Sequence, residues 1–86
     1  MVNFGCELKD FDPTVWIYRK QTRRMDRFAQ IGLAAARQAE ADSGLDIAKE
    51  SERICSAIAT CIGGLLSFQD CTLTLFNRGV DRVSPF

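Results

Sequence analysis

The sequence predicts an α/β arrangement in which a long amphipathic helix, a short buried strand and a second helix follow one another. Three patterns carry this expectation. Basic and apolar side chains separate onto opposite sides of a helical period between residues 19 and 43. A nearly unbroken run of small and apolar residues occupies 54–59. A glycine pair at 63–64 is followed by apolar side chains at helical spacing.

Residues 1–13 read as irregular or briefly extended. Phe4, Cys6, Leu8 and Phe11 are apolar between polar neighbours, which allows a short strand over about 4–8. Asp12-Pro13 reads as a turn or helix lead-in. Asp accepts from the free amides of a first turn, and Pro lacks the amide that would go unpaired there, so Asp12 can cap a helix whose first position is Pro13.

The main helix is expected over about 19–43, in a stretch rich in Ala, Arg and Gln, all good helix formers. Five of its first nine residues are basic: Arg19, Lys20, Arg23, Arg24 and Arg27. At 100° per residue these five fall within about a 140° arc. Met25, Phe28, Ala29, Gly32, Ala36 and Ala39 fall on the opposite side. The pattern is that of a helix with a buried back and a cationic front, and such a front suits an acidic partner. Gly44 supplies the stop, and Leu45 beyond it fits the hydrophobic contact of a Schellman ending. Trp16 and Tyr18 are expected to pack at the start of this helix.

The charged stretch 46–53 reads as a solvated loop or short turn. Ile54-Cys55-Ser56-Ala57-Ile58-Ala59 is the expected strand, apolar enough to be covered on both faces. Gly63-Gly64 opens a turn. Over 65–77 two patterns compete. Leu65, Phe68, Thr72 and Phe76 lie at helical spacing, whereas Cys71-Thr72-Leu73-Thr74-Leu75 alternates like a strand. Helix is favoured because Gly79 stands where a C-terminal stop belongs. Residues 80–86 form a polar tail. One strand, or two counting 4–8, cannot make a sheet, and a doubly covered strand needs neighbours on both edges. The chain therefore reads as a single segment, 1–86, whose sheet is completed by further polypeptide.

Composition excludes several chemistries. The 86 residues carry 11 basic and 11 acidic side chains and no net charge, so the basic run is a local feature. Neutrality overall, and no aromatics interleaved with the basic face, argue against nucleic acid. The plain alternative for that face is a solvated helix surface. There is no histidine. Cysteine catalysis usually pairs the thiol with a histidine base, and serine triads need one too, so neither can be built from these residues. Cys6, Cys55, Cys61 and Cys71 match no zinc spacing and are expected to be ordinary buried or half-buried thiols. Gly63-Gly64 without a fuller glycine-rich loop and a lysine reads as a turn, not a phosphate cradle. No run of about 18 uncharged apolar residues offers a membrane span. No signal-peptide pattern opens the chain, so cytoplasmic residence is expected.

A resemblance sharpens this picture. The run Arg19-Lys20-Gln21-Thr22-Arg23-Arg24-Met25-Asp26-Arg27-Phe28 is similar to a motif of β-ketoacyl–acyl carrier protein synthases. Lys9-Asp10-Phe11, Ala34-Ala35, Asp42-Ser43-Gly44-Leu45, Arg53-Ile54, Ala57-Ile58, Ile62-Gly63-Gly64-Leu65, Asn77-Arg78-Gly79 and Val83-Ser84-Pro85-Phe86 resemble further family motifs, in order. The elongating type II branch is the most similar, and polyketide ketosynthases share much of the pattern. The resemblance implies part of the N-terminal half of a thiolase-like fold, whose parent is usually a homodimer. It implies decarboxylative condensation of malonyl-acyl carrier protein with an enzyme-bound acyl group, in fatty-acid or polyketide synthesis. The family's nucleophilic cysteine, two histidines and supporting lysine match nothing here, so no catalytic residue is assigned and this chain alone is expected to be inactive. No metal or cofactor is expected, because the acyl group rides on the carrier protein's phosphopantetheine. Lys20, Arg23 and Arg24 match positions that help receive the acidic carrier protein. Phe68 matches a position lining the acyl pocket near the dimer interface, and its bulk implies a shorter or more tightly gated pocket; plain core packing is the other account of it. Ala59-Thr60-Cys61 departs from the family's Gly-Ser-Gly, which adds side chain to a tight turn. The alternative function is a small non-catalytic helical module that binds an acidic carrier protein.

Overall fold

A computed structural model describes residues 1–85, so Phe86, the last residue of the Val83-Ser84-Pro85-Phe86 motif, lies outside the described residues. Among the described residues three α-helices are formed: α1 (Arg19–Thr22), α2 (Arg27–Ser43) and α3 (Leu65–Arg78). Single 3-10 turns flank them at Pro13–Val15 and Val80–Arg82.

The lead-in forms as its residues dictate. Asp12 accepts from the Thr14 amide at 2.9 Å and from the Thr14 hydroxyl at 2.6 Å, and Pro13 begins the 3-10 turn. Ile17, at the end of this lead-in, is buried to 3 % exposure. Tyr18 does not pack as expected: it is 77 % exposed, and its carbonyl instead accepts from the Gln21 and Thr22 amides at the start of α1. The expected short strand over 4–8 is absent, and those residues are exposed without regular structure.

The expected continuous helix over 19–43 is broken. The Arg24 and Met25 amides reach only three residues back, to Gln21 O at 3.0 Å and Thr22 O at 3.4 Å, which tightens and ends α1. Asp26 then takes an extended conformation, φ −66° and ψ 158°, and its side chain caps the Phe28 amide. Two causes favour the break. Five basic side chains on one face would repel, at roughly 0.2–0.5 kcal/mol for each like pair four residues apart. Asp is also a better helix cap than helix interior, because its carboxylate competes for backbone amides. Gln30 fills the gap, donating from Nε2 to Thr22 O at 2.9 Å and to Met25 O at 3.1 Å. The five basic residues therefore do not share one regular helical arc. Arg19 and Lys20 lie on α1, Arg23 and Arg24 in the turn, and Arg27 opens α2.

Helix α2 stops at Gly44, whose φ of 65° is the left-handed conformation that glycine adopts without penalty. The Leu45 amide beyond it donates to Ser43 Oγ at 3.2 Å. The stretch 46–53 is a series of turns with the surface pairs Lys49–Asp46 and Arg53–Glu50.

The expected buried strand at 54–59 is not formed. No residue among those described is in a β-strand, and this segment is exposed apart from a half-buried Ile54. The reason is the missing ladder: backbone amides and carbonyls of a strand need a partner edge, and these residues supply none. Ile58 still meets α2, where its Cγ2 lies 3.3 Å from the place a side chain on Gly32 would occupy. Helix, not strand, forms over the ambiguous 65–77 stretch. It ends at Gly79, φ 86°, whose amide donates to Leu75 O.

The apolar faces lack a common core. Ile17 and Ala34 are the buried apolar residues among those described, whereas Leu65, Phe68 and Phe76 of α3 stand 60 %, 69 % and 82 % exposed. The expected buried back of α2 is only half covered at Met25, Ala29 and Gly32, and an open groove of about 1120 Å³ runs between α2 and residues 45–56. Cys6, Cys55 and Cys61 are exposed, against the expectation of buried thiols, and Cys71 is half-buried. With no second layer over them, these side chains have nothing to be buried against. The accessible surface is 8057 Å², where a compact chain of this length has about 5,100 Å². The radius of gyration is 16.8 Å, where a compact domain has about 12 Å.

Candidate functional site

The basic turn and the start of α3 meet at one carboxylate. Asp26 Oδ1 accepts from the Phe28 amide at 3.3 Å and so caps α2. Asp26 Oδ2 accepts from the Ser67 amide at 3.1 Å and from the Ser67 hydroxyl. The cap residue of α3 is Gly64, which has no side chain to offer its own helix. The free amide at the third position of α3 is thus satisfied from outside the helix, by a residue 41 positions earlier. The Ser67 hydroxyl bond, more than the amide bonds, holds the Asp26 carboxyl below the ordinary aspartate range, because each donor favours the charged form.

Phe28 makes the second contact of this junction. Its ring lies against the glycine pair, and a side chain on Gly63 would sit 3.1 Å from Phe28 Cε2 and Cζ. The same side chain would lie 2.7 Å from Thr60 Cγ2, inside the distance real atoms keep. Glycine at 63 thus leaves the space that Thr60 and the Phe28 ring occupy. Gly64 has φ 77°, again a glycine conformation.

Lys20, Arg23 and Arg24 are exposed. Arg27, the fifth basic residue, is used inside the chain: Nη2 donates to Leu8 O at 2.7 Å and the guanidinium stands 5.9 Å from the Phe11 ring centre. It ties the N-terminal arm to α2 and so differs from Lys20 and Arg23. Phe68 follows Ser67 directly on α3 and projects an exposed ring. The structure therefore joins the basic turn to the helix of Phe68 through Asp26 and Ser67. Neither Asp26 nor Ser67 was singled out from the sequence. Asp26 carried a signal, a capping residue type before a helical run. Ser67 carried none.

Among the described residues no cluster of three or more His, Cys, Asp or Glu side chains is placed to hold a metal. No helix among the described residues is long and apolar enough to cross a membrane. The arrangement offers a cationic surface, a capping junction and an apolar helix face, with no nucleophile–base pair.

The family model for the beta-ketoacyl synthase N-terminal domain matches residues 2–86. The chain belongs to the β-ketoacyl synthase family. It is 42% identical over 84 residues to a 3-oxoacyl-[acyl-carrier-protein] synthase 2 of Synechocystis, an alignment covering 96% of this chain and 20% of that protein. It is also 42% identical over 86 residues to the 3-oxoacyl-[acyl-carrier-protein] synthase 2 of Staphylococcus aureus, covering 99% of this chain and 21% of that one. The chain spans about a fifth of the length of these β-ketoacyl synthases. No solved structure is a significant match.

Proposed function

We propose that these residues form the carrier-receiving part of a 3-oxoacyl-[acyl-carrier-protein] synthase, an acyltransferase of fatty-acid synthesis that condenses malonyl-acyl carrier protein with an acyl thioester. The match to the family over residues 2–86 carries this reading. In it the chain contributes to a thiolase-like α/β fold, and the rest of that fold covers the exposed faces of α2 and α3. The uncovered surface supports this, because apolar side chains such as Leu65 and Phe76 gain their burial only from a second layer. Two such enzymes pair as a homodimer.

Lys20, Arg23 and Arg24 receive the acidic carrier protein. Exposed pairs are worth only about 0–1 kcal/mol each, so the turn acts on encounter and orientation more than on final affinity. Phe68 lines the acyl pocket and restricts chain length. The condensation itself needs a nucleophile and proton-transfer groups that this histidine-free chain does not supply, so the isolated chain has no condensing activity. Incubation of the isolated chain with acyl and malonyl carrier protein tests this: no covalent acylation and no condensed product are expected, and either product would overturn it.

The second reading, a free-standing carrier-binding module, requires a chain that folds cooperatively by itself. The scarcity of buried apolar residues disfavours it.

A further inference from the structure

We propose that Asp26 is a positioning residue, which holds the basic turn in register with the helix of Phe68 through Ser67 and thereby governs reception of the acidic carrier partner. This rests on the docking role proposed for Lys20, Arg23 and Arg24.

The geometry supplies the argument. Lysine and arginine side chains are long and mobile, so the direction in which they present charge is set by the backbone beneath them. That backbone, 23–25, lies outside any helix and has no ladder to fix it. Side chains fix it instead. Gln30 holds the carbonyls of Thr22 and Met25, on either side of Arg23 and Arg24. Asp26 anchors the end of the turn to two helices at once, with a separate oxygen for each. The α2 bond is local, whereas the α3 bond spans 41 residues and brings in the residue immediately before Phe68. A shift of α3 along its axis is thus transmitted to the turn that carries Arg23 and Arg24. Severing only the α3 bond uncouples the turn from α3 without uncapping α2.

Asp26→Asn makes that cut. Asparagine keeps one acceptor oxygen for the Phe28 amide but places an NH2 group where Oδ2 accepts from Ser67. Ser67→Ala removes the hydroxyl alone, and Ser67→Thr retains it. Each variant is made in the complete condensing enzyme that contains these residues. Kinetics are compared with an acyl-carrier protein substrate and with a small acyl-pantetheine thioester that bypasses docking. The expected result for Asp26→Asn is a rise in KM for the carrier substrate of about three- to tenfold, the equivalent of one lost capping bond. Turnover of the small thioester falls less than that of the carrier substrate, because the small substrate bypasses the basic turn. Ser67→Ala shows a smaller change in the same direction, and Ser67→Thr restores the parent values. Parallel losses on both substrates, or no change on either, overturn the proposal. Where Asp26→Asn fails to fold, the Ser67 pair decides by the same criteria. Arg23→Glu is run beside them. If it leaves carrier affinity unchanged, the docking reading itself falls; if it weakens the carrier while Asp26→Asn and Ser67→Ala do not, only the positioning role fails.

Discussion

Asp26 reaches across 41 residues of sequence to Ser67 and accepts both its amide and its hydroxyl. One carboxylate thus caps two helices, with Oδ1 serving α2 and Oδ2 serving α3. The junction places the exposed basic turn and the apolar helix of Phe68 in fixed relation.

This contact has a defined pH dependence. The folded-state pKa of Asp26 lies below the ordinary 3.8 of an aspartate, with the Ser67 hydroxyl bond as the largest cause. A depressed folded value means that the stabilisation is present above the unfolded pKa and is lost as pH falls through the folded one. The Ser67 amide resonance in the complete enzyme, followed by serine-selective labelling, is expected to titrate with a midpoint below 3.8. Asp26→Asn abolishes that titration. A midpoint above 3.8 would contradict the assigned hydrogen bonds.

Gly63 tests the crowding of the turn. Gly63→Ala places a methyl against Thr60 Cγ2 and the Phe28 ring. Overpacking of this kind costs about 1–3 kcal/mol. Thr60→Ser removes the offending methyl and is expected to recover part of the loss in a double-mutant cycle of thermal melts. Equal cost of Gly63→Ala in both backgrounds would place the strain elsewhere.

Charge reversal at Lys20 and Arg23 probes the docking role proposed for them. Carrier affinity in the complete enzyme is expected to fall, and its dependence on ionic strength to flatten, since exposed charges act through a screened field. Reversal at Arg27 serves as the contrast. Its guanidinium is held by Leu8 O and lies near the Phe11 ring, so its loss should lower the melting temperature more than the carrier affinity.

If Phe68 lines the acyl pocket as proposed, Phe68→Ala is expected to shift product distribution toward longer acyl chains by removing bulk. Ile62, an exposed apolar residue on the other side of the glycine pair, is the comparison site. An unchanged distribution for Phe68→Ala, with a shift for Ile62→Ala, would move the wall of the pocket to Ile62.

Elements specified by their own neighbours were legible in the sequence. The Asp12-Pro13 lead-in and the stops at Gly44 and Gly79 each depend on residues within a few positions. The helix over 65–77 was legible through its spacing and its glycine stop. What sequence could not show depends on distant partners. The 54–59 run has strand composition but no ladder among the described residues. The break between α1 and α2 turns on Asp26, whose second oxygen is committed to Ser67 and whose neighbourhood is completed by Gln30. An angular plot of residues 19–27 treats these as one helix and so overstates the continuity of the basic arc. Lys20, Arg23 and Arg24 were assigned by resemblance to a family; the structure shows Lys20 on α1 and Arg23 and Arg24 in the turn that follows it.

Membership of a larger condensing enzyme, as proposed, requires that residues 1–85 lack a sufficient core of their own, and Ile17 and Ala34 are the buried apolar residues among those described. Amide hydrogen exchange on the isolated 86-residue chain tests it most directly. The account predicts rapid exchange throughout α2 and α3 and no cooperative unfolding transition. Slow exchange across both helices, lost together in a single transition, would contradict it and support the free-standing module.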